Sequence, residues 1–437
     1  MAIAAEVRLW GRRVGAVAQA ENDPFAAFEY DPAYLSSRIE LAPLTMPLTT
    51  RIYRFPELPY AAFHGLPGLL ADSLPDRFGN RLIDAWLAGQ GRSPDSMSAV
   101  ERLCYIGSRG MGALEFRPRI GPEAQGGRRL QMDALVELAG KILQQRRGLQ
   151  VTLDPDTDEQ AMAQLLRVGT SAGGARAKAL IAWNPKTGEI RSGQVDVGAG
   201  FEHWLLKFDG VLGNRDRELN DPMGFGRIEY AYWLMARAAG LEMNEARLLE
   251  ENGRSHFMTR RFDRTADGDK LHMQSLGAMA HFDYNQPGAY SYEQAVLVMR
   301  KLKLDLVQIE QFYRRAVFNV LARNQDDHVK NIAFLMDRQG RWRLAPAFDV
   351  VYSYNPQGDW TSRHQMSLNG KQDDFGFADF KALAKLAGLK RGRDRRLLQE
   401  VREAVSSWPE FAREAGVPAD VAQSIERAHR VKLITAR

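Results

Sequence analysis

The spacing of hydrophobic and polar positions changes along this chain, and the changes mark out its elements. Near the start, Val7-Arg8-Leu9-Trp10 and Arg13-Val14-Gly15-Ala16-Val17 alternate around Gly11, which predicts a hairpin of two short strands. From Gly65 the spacing becomes helical. Leu66-Pro67 opens a helix, Arg81 to Leu87 carries an amphipathic stripe ended by Gly89 and Gly91, and Ser96 to Tyr105 reads as a further helix. Gly107 to Gly112 then predicts a turn into the strand Ala113-Leu114-Glu115-Phe116. Pro118 to Arg129, with Pro122, Gly126 and Gly127, has the composition of a linker, so a domain boundary is expected between it and about residue 150.

Beyond the linker the pattern repeats on a larger scale. Met132 to about Gln145 places Leu135, Leu138, Ile142 and Leu143 on one helical face. Strand-like text runs from Ala177 to Phe208, with a hairpin signal at Trp183-Asn184-Pro185-Lys186-Thr187-Gly188. After Pro222 the chain reads as mainly helical: Tyr230 to Ala239, Tyr292 to Leu302, Ile309 to Ala322, then 377–388, 396–407 and 419–430. A β-rich segment followed by a helical one is the layout of two lobes around a cleft. The predicted fold class is α+β: a small α/β domain over 1–150, then a two-lobed, protein-kinase-like domain over 151–437. Its β-rich N-lobe would run to about 258 and its helical C-lobe from 259.

Composition narrows the class without naming it. A chain of 437 residues, 45% hydrophobic and 26% charged, reads as a folded globular protein of more than one domain. A net charge of +5 permits contact with phosphates or nucleic acid but does not demand it. One cysteine, Cys104, excludes an intrachain disulfide and a cysteine-rich zinc site. No apolar run reaches the roughly 18–20 residues of a membrane span, and Arg8, Arg12 and Arg13 interrupt any signal-peptide core. A cytoplasmic protein without membrane contact is the expectation.

The chemistry concentrates in Asn324-Gln325-Asp326-Asp327-His328-Val329-Lys330-Asn331, followed by Asp349 in Ala347-Phe348-Asp349-Val350. An Asp, an Asn five positions on and a later Asp after a short apolar segment is what phosphoryl transfer requires. The first acid orients a hydroxyl and accepts its proton; the amide and second acid hold the Mg²⁺ that bridges the ATP phosphates. The interval to Asn331 favours Asp326 over its rival Asp327 as the base. Lys330 could neutralise charge in the transition state, and His328 is either a participant or a structural hydrogen-bonder. Apolar flanks, Ile332 to Met336 and Trp342 to Leu344, predict strands beside the run.

Elements upstream fall in the order that kinase folds use. Val168 to Lys178 is small and glycine-rich and ends in a lysine, so its backbone N–H groups could cradle phosphate. Lys207 interrupts the apolar strand His203 to Phe208; a buried ammonium needs an anionic partner such as phosphate, although a lysine at a strand end can also snorkel to water. Glu229 could pair with Lys207, or it could be a first-turn acid favoured by the helix dipole, the reading preferred on sequence grounds. Thr259 to Arg264 falls where an inter-lobe hinge would offer backbone groups to adenine.

With these motifs the sequence resembles the HipA family of bacterial serine/threonine kinase toxins. Ser73-Leu74-Pro75-Asp76-Arg77-Phe78-Gly79-Asn80 and Tyr105 to Ala113 resemble that family's N-terminal coupling domain. Ser171 to Lys178, Trp204 to Phe208, Arg261-Phe262-Asp263-Arg264, Asp326 to Asn331 and Phe348-Asp349 resemble its kinase domain. The resemblance implies ATP and Mg²⁺ as cofactors, a small DNA-binding antitoxin (HipB-like) as partner, operator DNA through that complex, and a protein substrate such as an aminoacyl-tRNA synthetase. It implies a phosphate loop of Gly173, Gly174, Ala175, Arg176, Ala177 and Lys178, a phosphate-holding Lys207 and an adenine hinge of Arg260, Arg261 and Phe262. It further implies Asp326 as base, nucleotide contacts from His328, Lys330 and Asn331, metal held at Asn331 and Asp349, and autophosphorylation of Ser171, whose phosphate would repel ATP from the loop. Two positions depart from the pattern: Arg176 stands where members commonly carry glutamine, and Arg260 where many carry glutamate. Two other classes stay open, a catalytically idle co-repressor bound to antitoxin on operator DNA and a kinase for small molecules. The basic cluster Lys390 to Arg396 could touch DNA phosphates or be a solvated helix face.

Overall fold

The computed structural model describes residues 2–120, 130, 132–144, 165–166, 169, 176–193, 198, 200–211, 215–216, 219–220, 223–265 and 267–434. The N-terminal hairpin forms as β1 (Ile3–Leu9) and β2 (Arg12–Gln19), turning at Trp10 and Gly11, both at positive φ. With β3 (Ala27–Tyr30) and β4 (Leu114–Arg117) it makes an antiparallel sheet of order β3-β2-β1-β4. Between β3 and β4 lie α1 (Arg77–Gly89) and α2 (Ala99–Ile106). The α2 start is a capping box, Ser98 with Glu101, and Asp76 caps α1 by accepting from Gly79 N–H at 3.0 Å. The helix expected from Leu66-Pro67 is a single turn, Gly68–Ala71.

Helix α3 (Met132–Gln144) carries Leu135 and Leu138 into a shared core rather than lying as a spacer. That core joins Phe78, Leu82, Ile83 and Leu87 of α1 to Ile181, Trp204 and Leu206 of the next sheet. The sheet contains β5 (Lys178–Trp183), β6 (Ile190–Ser192) and β7 (Glu202–Lys207). Helix α4 (Phe225–Ala238) crosses it, and β8 (Ala246–Glu251) and β9 (Arg254–Arg260) complete it in the order β8-β9-β7-β5-β6. The β8–β9 hairpin is the largest departure from the sequence reading. Ala, Arg, Leu and Glu dominate β8, and these favour helix when judged by composition. Asn252-Gly253, with φ of 46° and 76°, is the two-residue turn that could have revealed the hairpin.

The C-lobe begins with β10 (His272–Ser275), followed by α5 (Tyr292–Lys301) and α6 (Leu306–Leu321). The flanks of the Asp-rich run are strands as expected, β11 (Ala333–Met336) and β12 (Trp342–Leu344), giving a sheet of order β10-β11-β12. Helices α7 (Phe377–Ala387), α8 (Arg393–Ser406), α9 (Trp408–Glu414) and α10 (Ala419–Ala428) close a single large core around Phe312, Phe318, Phe380 and Trp408. In the basic cluster, Arg393 is paired with Glu310 and Arg396 with Glu400 at 2.9 Å, so part of its charge is neutralised within the C-lobe.

The N-terminal domain is bolted to the kinase-like part by polar contacts. Asp72 accepts from Ser275 N–H (2.6 Å) and Oγ (2.7 Å), Gly112 N–H donates to Asp263 at 2.7 Å, and Lys270 pairs with Glu115 at 2.9 Å. Asp263 is fully buried. Burial works against its charge, but the Arg261 and Arg264 guanidinium groups outweigh it and hold its carboxyl well below the usual range. Among the described residues, no helix is long and apolar enough to cross a membrane.

Candidate nucleotide and phosphoryl-transfer site

Two lysines face each other across neighbouring strands. Lys178 of β5 and Lys207 of β7 are direct cross-strand partners, so both ammonium groups emerge on one face. Like charges placed so are unfavourable unless anions lie between or beside them. Here carboxylates do so. Lys207 Nζ lies 2.5 Å from Glu229 Oε1 and 2.5 Å from Asp349 Oδ1, while Lys178 Nζ is 3.8 Å from Asp76 Oδ2.

Glu229 reaches Lys207 because α4 starts at Phe225, not at Tyr230; the acid lies in the second turn and points at the sheet. The first-turn reading preferred from the sequence is therefore corrected. Gly226 makes the approach possible: a Cβ there would lie 2.0 Å from the Ser255 carbonyl of β9. Burial works against charge at Lys207, yet Asp349 and Glu229 outweigh it and raise the ammonium above the ordinary lysine value. Asp349 is likewise penalised by burial but held well below the carboxylate range by Lys207 and Lys178. Glu229 moves upward, because burial and the Asp349 charge together exceed what its share of Lys207 returns.

Asp349 takes φ of 55°, the left-handed region that few residues other than glycine adopt. Such strain, held in place by surrounding contacts, clusters at functional positions. Phe348 beside it packs on Phe262, with ring centroids 5.3 Å apart.

Across the cleft from the sheet stands the Asp-rich run. Asp326, His328, Lys330 and Asn331 line the same cavity of about 260 Å³ as Lys178, Lys207, Glu229, Arg260, Arg261, Phe262 and Asp349. Asn331 Nδ2 donates to the Asp326 carbonyl at 2.8 Å, which commits the amide nitrogen and turns the amide oxygen outward. His328 Nε2 lies 3.9 Å from Asp326 Oδ1, and Lys330 Nζ sits 4.6 Å from the centre of the Tyr284 ring. Asp327 is sequestered in the C-lobe: its oxygens accept from Tyr292 Oη (2.5 Å) and Gln365 N–H (2.7 Å) and pair with His364 Nδ1 (2.9 Å). Of the two neighbouring acids, the cavity contains Asp326.

At the hinge, the Arg260 N–H donates to the Glu245 carbonyl at 2.8 Å and the Arg261 N–H to the His203 carbonyl at 2.9 Å. The Arg260 carbonyl accepts from Asn244 Nδ2 at 3.1 Å, so three of the hinge's backbone groups are already engaged. The Arg260 side chain faces Glu202, 3.6 Å away, and Arg261 grips Asp263 through two nitrogens at 2.8 and 2.7 Å. Arg176 lies over the Phe225 ring at 3.8 Å, and Ala177 is buried beside it. Ser171, Gly173, Gly174 and Ala175 fall outside the described residues.

The donor atoms suit Mg²⁺. Asp349 and Asn331 offer a carboxylate and an amide oxygen, the preference of a hard cation that takes its remaining ligands from phosphates and water. Among the described residues, no three His, Cys, Asp or Glu side chains gather as a self-sufficient metal cage. A larger groove of about 840 Å³ opens at the hinge between Ser108–Arg119 and Pro185–His203. It contains none of these oxygen donors, so we place the chemistry in the smaller cleft.

The N-terminal domain supplies part of that cleft: Asp72, Ser73, Leu74, Asp76, Arg77 and Met111. Sequence reading took the Ser73–Asn80 motif only as a family mark, and the charge on its acid is perturbed. Asp76 Oδ2 is buried without a hydrogen-bond partner, and burial lifts its carboxyl to about 6 against the opposing pull of Lys178. At 3.8 Å the ion pair is too loose to offset desolvation. The folded state then binds the proton more tightly than the unfolded chain, so ionisation costs stability as pH rises from about 4 through 6. Asp76→Asn, which keeps an oxygen for the Gly79 cap, should stabilise the protein at pH 7.5 by up to about 3 kcal/mol, with about half the gain left at pH 5. Urea unfolding at the two pH values measures this; a destabilised mutant at pH 7.5 would show that the ion pair dominates.

Profiles of known families match both parts of the chain: the HipA N-terminal domain over residues 5–117 and the HipA-like C-terminal domain over residues 170–408. Y4mE of Sinorhizobium fredii, named as a candidate kinase, is 27% identical over 188 residues, 39% of this chain and 44% of that protein. A protein of Haemophilus influenzae, also named as a candidate kinase, is 29% identical over 136 residues, 28% of this chain and 40% of its own length. The chain thus matches less than half the length of these curated relatives. HipA in its complex with HipB and operator DNA from Shewanella oneidensis shares the fold, with a TM-score of 0.68 at 16% identity over 98% of this chain and 96% of that one. With family profiles covering both the N-terminal region and the kinase-like region, and a HipA fold along its length, the chain belongs to the HipA family.

Proposed function

We propose that this protein is an ATP- and Mg²⁺-dependent serine/threonine-protein kinase that acts as the toxin of a toxin–antitoxin pair. The observation that carries the reading is the cluster of Lys207, Glu229 and Asp349 at 2.5 Å separations, facing Asp326 and Asn331 in one cleft. A lysine held by a helix glutamate, and an acid after a strand, are the parts a kinase uses to grip phosphates. In this reading Lys207 and Lys178 hold phosphate oxygens, and Asp326 orients the acceptor hydroxyl and takes its proton. Bound Mg²⁺, held at Asp349 and Asn331, would neutralise charge that develops on the phosphates. Lys330 adds a positive charge beside the transferred group, and Arg260 to Phe262 border the adenine.

A small DNA-binding antitoxin is the expected partner, by analogy with the HipA–HipB–operator complex. The expected acceptor is a protein hydroxyl, with an aminoacyl-tRNA synthetase the first target to test, and Ser171 the site of self-modification. Labelled ATP and Mg²⁺, added with the protein to a cell extract, test this. The expected result is label on Ser171 and on one dominant protein. Label only in a small molecule would move the acceptor to another class, and no detectable nucleotide affinity would favour the idle co-repressor.

A further inference from the structure

The chain from Val351 to Gln365 contains neither helix nor strand, yet it is tied closely to the catalytic run. Ser353 Oγ accepts the N–H groups of Gln325 (2.7 Å) and Asp326 (3.0 Å). Gln325 Nε2 donates to the Thr361 carbonyl at 3.3 Å, Gln365 N–H donates to Asp327 at 2.7 Å, and the Gln365 amide bonds the Trp360 carbonyl. These tethers bring the half-buried Trp360 indole to Asp326, where Nε1–H donates to Oδ1 at 2.7 Å.

We propose that Trp360 is the positioning residue for the Asp326 base, holding its carboxylate turned toward the acceptor hydroxyl. The proposal rests on reading Asp326 as the base. An indole N–H can only donate, so this hydrogen bond holds Oδ1 and fixes the rotation of the carboxylate. A neutral donor suits the place. A second arginine or lysine there would compete with Lys330 and Lys207 for phosphate and for Asp349, whereas indole orients without adding charge. The segment's tethers restrict the ring, so the orientation is preset rather than formed on substrate binding. Trp360 is not among the described residues that line the nucleotide cleft, so its effect should fall on the chemical step and not on ATP binding.

The charged and titratable groups around Asp326 are His328 at 3.9 Å, Lys330 on the same run, Tyr284, and, across the cleft, Lys207, Asp349 and Asp76. Trp360→Phe keeps the ring and removes the donor. In purified full-length protein, with the extract target or Ser171 as acceptor, kcat should fall about tenfold as the carboxylate loses its fixed orientation. KM for ATP should stay within about twofold of wild type, since the ring does not line that cleft. Trp360→Gln, which returns an uncharged N–H donor, should recover part of the lost kcat.

An unchanged kcat, or a loss of kcat that accompanies a lowered thermal midpoint and is not recovered by Trp360→Gln, would overturn the role and leave Trp360 a structural residue. The base reading has its own test: Asp326→Asn that retains activity removes it directly. An inactive Asp326→Asn alongside an unchanged kcat in Trp360→Phe removes only the positioning role.

Discussion

Asp326→Asn is expected to lower phosphoryl transfer by roughly 10²–10⁴-fold, the range that a positioned general base contributes. The amide is nearly the size of the carboxylate and can still accept from Trp360 Nε1, so the fold and the 2.7 Å contact should survive. The loss should appear in kcat, with ATP affinity little changed, because the proton is taken only in the reacting state. Single-turnover transfer from labelled ATP, paired with nucleotide binding by calorimetry, measures both. Activity near wild type would remove Asp326 from the base role. The matching change at Asp327 makes the contrast. Asp327→Asn should act through stability, since that side chain accepts from Tyr292 and Gln365 inside the C-lobe and does not line the cleft.

Lys207→Met should abolish nucleotide binding and also cost about 3–5 kcal/mol of stability, the penalty for removing one member of a buried ion pair. Its side chain is 11% exposed, and Glu229 and Asp349 would lose the cation they share, with only the weaker pull of Lys178 and Arg176 remaining. The pH range of this stabilisation follows from the shifts. Asp349, lowered from 3.8, contributes above the ordinary carboxylate range and loses its contribution as pH falls through its depressed value. Lys207, raised from 10.5, contributes below that value and loses it only as pH climbs past its elevated one. The defect should thus be close to constant through neutral pH. Adding Glu229→Gln to Lys207→Met should recover part of the loss, because one of the two opposed charges disappears. Urea unfolding of the four proteins in the cycle reads the coupling. Additive effects would mean that the three side chains do not act as a unit.

The elements on which the chemistry depends differed in how readable they were. The Asp326-to-Asn331 interval and the apolar strands between that run and Asp349 were visible, since a short local pattern determines them. The β1–β2 hairpin and α1 were equally plain, each announced by its hydrophobic period and a glycine stop. Glu229 was misjudged because the start of α4 depends on packing against β9 at Gly226, a contact made by residues nearly thirty positions further on. The β8–β9 hairpin was missed although Asn252-Gly253 marked it, since its flanking residues favour helix by composition while tertiary pairing with β7 makes them strand.

From its sequence alone this protein is already a member of a recognisable family, with an Asp–Asn–Asp set in kinase order, a glycine-rich loop ending at Lys178 and a lysine, Lys207, in an apolar strand. Those features are local, or are matters of order, and a linear text carries them. What only the tertiary structure decided is who meets whom. Lys207 is shared by Glu229 and Asp349, Asp327 is withdrawn into the C-lobe while Asp326 is left in the cleft, Asp76 of another domain faces Lys178, and Trp360 bonds the candidate base. Each of these joins residues far apart in sequence, or separates neighbours. Burial, which sets how strongly a charge is felt, exists only once the chain has closed around it.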